Sequence, residues 1–315
     1  MKWIIYFFLF TLVVSCTKEV KIAIPGYKEQ VVVDGFIETG MPPFVLLSKS
    51  RDIYSETNLN SFLNGFISGA IVTVSDGTHT VQLTELCSDN LPPGMEETAA
   101  EFFGIKPEQL AQINLCAYVG LDPSIFGVVG KTYTLKVEYE GKEYTSSTTL
   151  LTPVPLQQSY FKPEADKPEC GFAYHRLQDP PGGKNAYYYE VKRINKDSLG
   201  KNKDSYFKKI YNYTFDDQFF DGLNFEFYCE NPMTVGDKNV EPKYRGYYMQ
   251  GDSVVIKFST IDRTVYDFQL TKLVQLQTGG SPFSSASNIK TNITGGALGV
   301  WAGYSTTFDT LYCVP

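Results

Sequence analysis

Ala70-Ile71-Val72-Thr73-Val74, Ser75-Asp76-Gly77 and Thr80-Val81-Gln82-Leu83 read as strand, turn and strand, because an Asp-Gly pair between two alternating β-branched runs supplies the positive backbone angles of a tight hairpin. The pattern repeats outward in both directions. Val31-Val32-Val33-Asp34-Gly35-Phe36-Ile37 and Phe44-Val45-Leu46-Leu47-Ser48 are divided by Gly40-Met41-Pro42-Pro43, and Thr132 to Val137 is divided from Tyr144 to Thr149 by Glu140-Gly141. Short strands with turn residues between them predict a mainly β chain of sandwich type. Residues 51–68, polar and rich in Asn and Ser, read as a loop or short helix between the first two hairpins.

Residues 87–116 interrupt the pattern. Pro107-Glu108-Gln109-Leu110-Ala111-Gln112-Ile113 reads as a short helix with proline in its first turn. A bridge between Cys87 and Cys116, which bracket this insertion, would close a loop of about thirty residues and contribute about 3 kcal/mol. Thr152-Pro153-Val154-Pro155 reads as a linker, since alternating prolines stiffen a chain and cannot join a central strand. The expected domains are therefore 30–152, an N-terminal sandwich carrying the insertion, and 156–315, a C-terminal one.

In the second half, Gly171 to Leu177 and Ala186 to Arg193 flank the turn Asp179-Pro180-Pro181-Gly182-Gly183 and resemble consecutive strands of a fibronectin-type-III-like sandwich. Two more strands are expected within 206–229 and another from Tyr247 to Phe258. Ile261, Val265, Phe268 and Leu273 then recur at helical spacing, which predicts one amphipathic helix over about 260–277, capped by Ser259 or Thr260. In a fibronectin-like order Cys170, Cys229 and Cys313 fall at one pole, where any two could meet. The expected pair is Cys170 with Cys229, on neighbouring strands, since Cys313 lies near a chain end.

The N-terminus carries its own signal. Lys2 precedes an apolar run from Trp3 to Leu12, too short to span a bilayer comfortably but suited to a signal peptide. Val13-Val14-Ser15-Cys16 resembles the lipobox of bacterial lipoproteins, which predicts a leader over 1–15, lipidation at Cys16 and a tether over 16–29. Acyl chains at about 0.8 kcal/mol per buried methylene anchor a protein without a spanning helix. Lys18-Glu19 resembles the surface-export signal of Bacteroidota lipoproteins, so the expected location is the outer membrane, facing the cell exterior, with palmitate among the anchoring chains.

A formal charge of −7 argues against nucleic acid as a partner. The catalytic signatures in the chain are incomplete. Gly251-Asp252-Ser253 matches the nucleophile block of one esterase superfamily, but the catalytic histidine there lies downstream, and His79 and His175 are both upstream. The cysteines form no Cys-x-x-Cys pair, so no zinc site is expected. The acidic stretch Asp216 to Gly222 with Glu226 lacks the alternating ligands of a calcium loop. Neither cofactor, metal nor catalytic residue is therefore expected. Aromatic residues are unusually dense between 206 and 248, and Tyr206, Tyr211, Tyr213, Phe219, Phe220, Tyr247 and Tyr248 are the candidates for a contact surface.

Ser281-Pro282-Phe283-Ser284, Asn288-Ile289 and Asn292-Ile293-Thr294-Gly295-Gly296-Ala297-Leu298-Gly299-Val300-Trp301-Ala302-Gly303-Tyr304 together resemble the C-terminal signature of the Bacteroidota lipoprotein family of domain of unknown function 4249. The lipobox, Val33-Asp34-Gly35, Gly130 to Leu135, Asp179-Pro180 with Asn185-Ala186-Tyr187-Tyr188, and Asp217 to Gly222 occur in the order this resemblance requires. It implies an envelope lipoprotein associated with TonB-dependent outer-membrane transporters. The functions to be weighed are an accessory subunit of such a transporter, a free-standing glycan- or peptide-binding lipoprotein, and an enzyme without a recognisable motif.

Overall fold

A computed structural model describes residues 28–51, 65–91, 93–103, 105–110, 113, 115–197, 200–278 and 289–314. The leader, Cys16, the tether up to residue 27 and the Ser281 to Asn288 stretch of the signature lie outside the described residues. The chain is mainly β. In order it forms β1 (Val31–Glu38), β2 (Phe44–Lys49), β3 (Ile71–Ser75), β4 (Thr80–Gln82), β5 (Thr84–Cys87), α1 (Glu96–Phe103), α2 (Pro107–Leu110), β6 (Cys116–Val119), β7 (Thr132–Tyr139) and β8 (Lys142–Thr149). The second half adds β9 (Leu156–Pro163), β10 (Cys170–Gln178), β11 (Ala186–Arg193), β12 (Lys208–Asp216), β13 (Asn224–Cys229), β14 (Tyr248–Met249), β15 (Ser253–Ile261), α3 (Arg263–Thr278) and β16 (Leu298–Tyr312). Among the described residues no helix is long and apolar enough to cross a membrane.

The three sequence-predicted hairpins form as β1–β2, β3–β4 and β7–β8. What the sequence pattern does not foresee is the pairing of β16. It lies antiparallel to β15 and parallel to β1, joining strands from both halves into one sheet of order β12-β11-β15-β16-β1-β2-β6-β5. The expected boundary at 152–156 therefore does not separate self-contained domains. The described residues form two hydrophobic cores, but the core of the first half includes Ile293, Ala297 and Trp301 from the second half.

Register fixes which face each side chain takes, because paired residues share a face and neighbours along a strand alternate. Gly35 pairs with Trp301, and a methyl group on Gly35 would come within 2.9 Å of the indole. On that same face β4-β3-β7-β8 covers the β1–β2 end, and Trp301 Nε1 donates to Tyr133 O at 3.0 Å. Phe258 and Tyr189 also pair there, and the sheet of β9, β10, β13 and β14 covers that end. The opposite face carries Tyr188 and Tyr304, in contact at 4.9 Å between centroids, and α3 lies over it with Gln269 Nε2 donating to Tyr304 Oη. Lys257 Nζ holds Glu38 at 2.6 Å on this face, an ion pair between the halves.

Two expectations about local structure are corrected. Helix α3 is capped by Asp262, whose Oδ1 accepts from the amides of Thr264 and Val265, whereas Ser259 and Thr260 stay in β15, which pairs with β11 as far as Ile261. The pair Cys170–Cys229 does not form. Cys229 aligns with Ala173 and Cys170 with Met249, so the two thiols are offset by three residues, about 10 Å along the ladder and beyond disulfide reach. Cys170, Cys229 and Cys313 are buried free thiols, while Cys87 and Cys116 sit directly opposite each other on β5 and β6 and are bridged.

Because Trp301 is fully buried and closes the first core from the far end of the chain, Trp301→Ala should cost about 3–5 kcal/mol in urea unfolding. An excised 28–152 fragment should show no cooperative transition. Cooperative unfolding of that fragment would mean that the first core does not need β16.

Candidate functional site

The sheet of β9, β10, β13 and β14 buries one face against the long sheet. Phe161, Ala173, His175, Leu177, Phe225 and Phe227 point inward, and the alternate residues must point out. Those outward residues are Tyr160, Phe172, Tyr174 and Tyr228, joined by Tyr247 from the loop before β14. Their rings form a continuous row. Tyr160 and Tyr174 lie 5.5 Å apart, Tyr174 and Tyr228 5.7 Å, Tyr228 and Phe172 5.2 Å, and Phe172 and Tyr247 4.7 Å. Cations flank it, with Lys162 Nζ 5.1 Å from the Tyr174 ring, Lys167 Nζ 5.0 Å from Tyr247 and the Arg176 guanidinium 5.9 Å from Tyr160. Glu226 accepts from Arg176 Nε and from Tyr160 Oη, both at 2.9 Å, and the Arg176 bond holds its carboxyl below the usual range. Such a platform offers apolar ring edges, hydroxyls and cations within one surface.

Of the seven aromatic candidates, Tyr247 belongs to this platform. Tyr211 and Phe219 are exposed elsewhere, and Tyr206 is half-buried. Tyr213, Phe220 and Tyr248 are core residues, so they are withdrawn as surface candidates. Tyr213 donates to Gln269 O beneath α3, Phe220 stacks on Phe225 at 4.4 Å, and Tyr248 is fully enclosed with its hydroxyl on Glu230 O. A shift in the β11–β12 register between Tyr188 and Glu190 breaks the alternation of faces along β12, so Tyr213 is buried while Tyr211 is exposed. Phe172, Tyr174 and Arg176 were legible as an alternating set, but Tyr160 was not. Leu156–Pro163 is largely polar and ends in proline, and it becomes a strand by pairing with β10.

The segments carrying the family resemblance meet inside the fold. Asp179 accepts from Tyr187 Oη, from Gly222 N at 3.0 Å and from Asn185 Nδ2 at 3.4 Å. Asp217 accepts from Asn185 N and Asp221 from Gly182 N, both at 2.8 Å. The three carboxylates lie within 4.8 Å of one another, close enough to share a cation, yet each has a protein donor. Burial raises the Asp217 carboxyl above its usual value. This knot ties the β10–β11 turn to the β12–β13 turn, and Glu226 stands apart from it with Arg176. The remaining motifs also pack. A methyl on Gly299 would overlap Val33 O at 1.8 Å, and Lys131 pairs with Asp76.

His175 is enclosed, with Nδ1 3.0 Å from Ser159 Oγ and Nε2 2.7 Å from Tyr189 Oη. Among the described residues no carboxylate orients it, and burial lowers its pKa to about 3, so at neutral pH it is a poor base for activating Ser159. Asp252 of Gly251-Asp252-Ser253 is a turn residue that accepts from Met249 N and Lys203 Nζ. His79 lies on the β3–β4 turn beside Asp76.

Fold and platform together define a mainly β, sandwich-type protein with a row of rings on an outer sheet face. The chain belongs to the family described as domain of unknown function (DUF4249), whose model matches residues 17–309. No curated protein and no solved structure matches it.

The depressed pKa of His175 sets an acid dependence. Between 6.5, where the unfolded imidazole gains its proton, and about 3, where the folded one does, the unfolded state binds more protons, so stability falls as pH falls. The slope is about 1.4 kcal/mol per pH unit. His175→Gln should lose less stability than wild type between pH 7 and pH 5 in urea titrations, and equal losses would exclude the buried neutral imidazole as the cause.

Proposed function

We propose that this protein is a lipid-anchored, non-catalytic binding subunit of the outer membrane that works with a TonB-dependent transporter. The observation that carries the binding role is the five-ring row of Tyr160, Phe172, Tyr174, Tyr228 and Tyr247 on an outer sheet face. These rings lie outside the core that Tyr187, Tyr189, Phe227 and Phe258 already fill. Anchoring is supported by the Val13-Val14-Ser15-Cys16 lipobox, and the transporter as partner by the family resemblance. A non-catalytic role is supported by the enclosure of His175 without a carboxylate and by the turn role of Asp252.

The test is affinity purification of the tagged chain from detergent-solubilised outer membranes. A TonB-dependent transporter should co-purify, and Tyr174→Ala with Tyr228→Ala should weaken recovery while leaving the melting temperature within a few degrees. Cys16→Ser should release the chain from membranes. Recovery of the lipoprotein alone, under conditions where another transporter–lipoprotein pair stays together, would favour the free-standing glycan- or peptide-binding lipoprotein.

A further inference from the structure

Strand β13 is hydrogen-bonded on one edge only. Its six residues pair with β10 in unbroken register from Ala173↔Cys229 to Gln178↔Asn224, and among the described residues no strand occupies its other edge. Beyond that ladder, no other hydrogen bond reaches the backbone of Asn224 to Cys229 among the described residues. Natural sheets blunt such edges with lysine, proline, a bulge or a covering segment. Asn224-Phe225-Glu226-Phe227-Tyr228-Cys229 contains neither lysine nor proline, and its register shows no bulge. Every second N–H and C=O group therefore stands free, over about 20 Å.

The strand and the chain on either side of it also expose apolar side chains. Phe219 is 87% exposed, Leu223 57%, Tyr228 60% and Val235 47%, in sequence before, on and after the strand. The turn that presents Phe219 is held firmly. Phe220 is buried on Phe225, and Asp179 and Asp221 accept from Gly222 N and Gly182 N.

We propose that the β13 edge accepts an extended polypeptide segment of a partner protein as an added strand. A row of free amides and carbonyls at strand spacing is matched by another extended backbone and not by a sugar chain. Residues of the segment that fall beside Tyr228 would be apolar or aromatic. The inference rests on reading this sheet as the binding surface, and it deepens that reading by naming the ligand as a strand.

The probe is a random dodecapeptide library displayed on phage, selected against the full chain purified in detergent. Enriched peptides should alternate apolar and polar residues. Bound peptide should slow amide exchange within 224–229 about tenfold or more, as amides do when they gain a stable partner. Tyr228→Lys, which blunts the edge without touching the core, should weaken the peptides about tenfold. Failure to enrich any peptide, or enrichment of peptides whose protection lies away from β13, overturns the strand-addition inference. Transporter co-purification is read separately, so its loss with peptide binding intact would sink the transporter assignment and leave the edge standing.

Discussion

The parallel pairing of β16 with β1 is the contact on which the rest depends. It joins residues 32–38 to residues 298–304 and places Trp301 against Gly35, so that the first hairpin and the last strand form one surface. A parallel pair cannot be closed by a tight turn, and here nearly the whole chain serves as its crossover. Long-range closure of this kind carries a high loop entropy, which the two cores packed on the same sheet must offset. The ion pair of Glu38 with Lys257 and the bond from Thr148 Oγ1 to Asp262, at 2.6 Å, add ties across the same seam.

That seam also positions the candidate surface. The β9-β10-β13-β14 sheet is pressed onto β11 and β15 through Tyr187, Tyr189, Phe227 and Phe258, whose rings interlock at 5.2 to 6.3 Å. With its inner face filled, the sheet turns its remaining aromatics outward, and the platform follows from the strand period rather than from a loop. The motifs that mark the family lie elsewhere, in the Trp301 contact and the Asp179 knot. They report how the chain folds, whereas the platform and the β13 edge lie on surfaces that the fold leaves free.

The sequence by itself determined the strand pattern, the three early hairpins, the position of the amphipathic helix and the Cys87–Cys116 bridge, because each depends on neighbours within about thirty residues. The family was legible for the same reason, in short runs of glycine, aspartate and aromatic residues. The aromatic excess was visible as composition, but the division into core and surface was not. Tyr213 and Tyr211 are two residues apart, yet one lies under α3 and the other in solvent because a register shift in β12 intervenes. Only the tertiary structure decided that β16 serves both cores, that Cys170 and Cys229 miss each other by three residues, and that Tyr160, Phe172, Tyr174, Tyr228 and Tyr247 share one row. Each of these is a matter of register between distant strands, which hydrophobic alternation leaves undefined until another surface packs against the sheet.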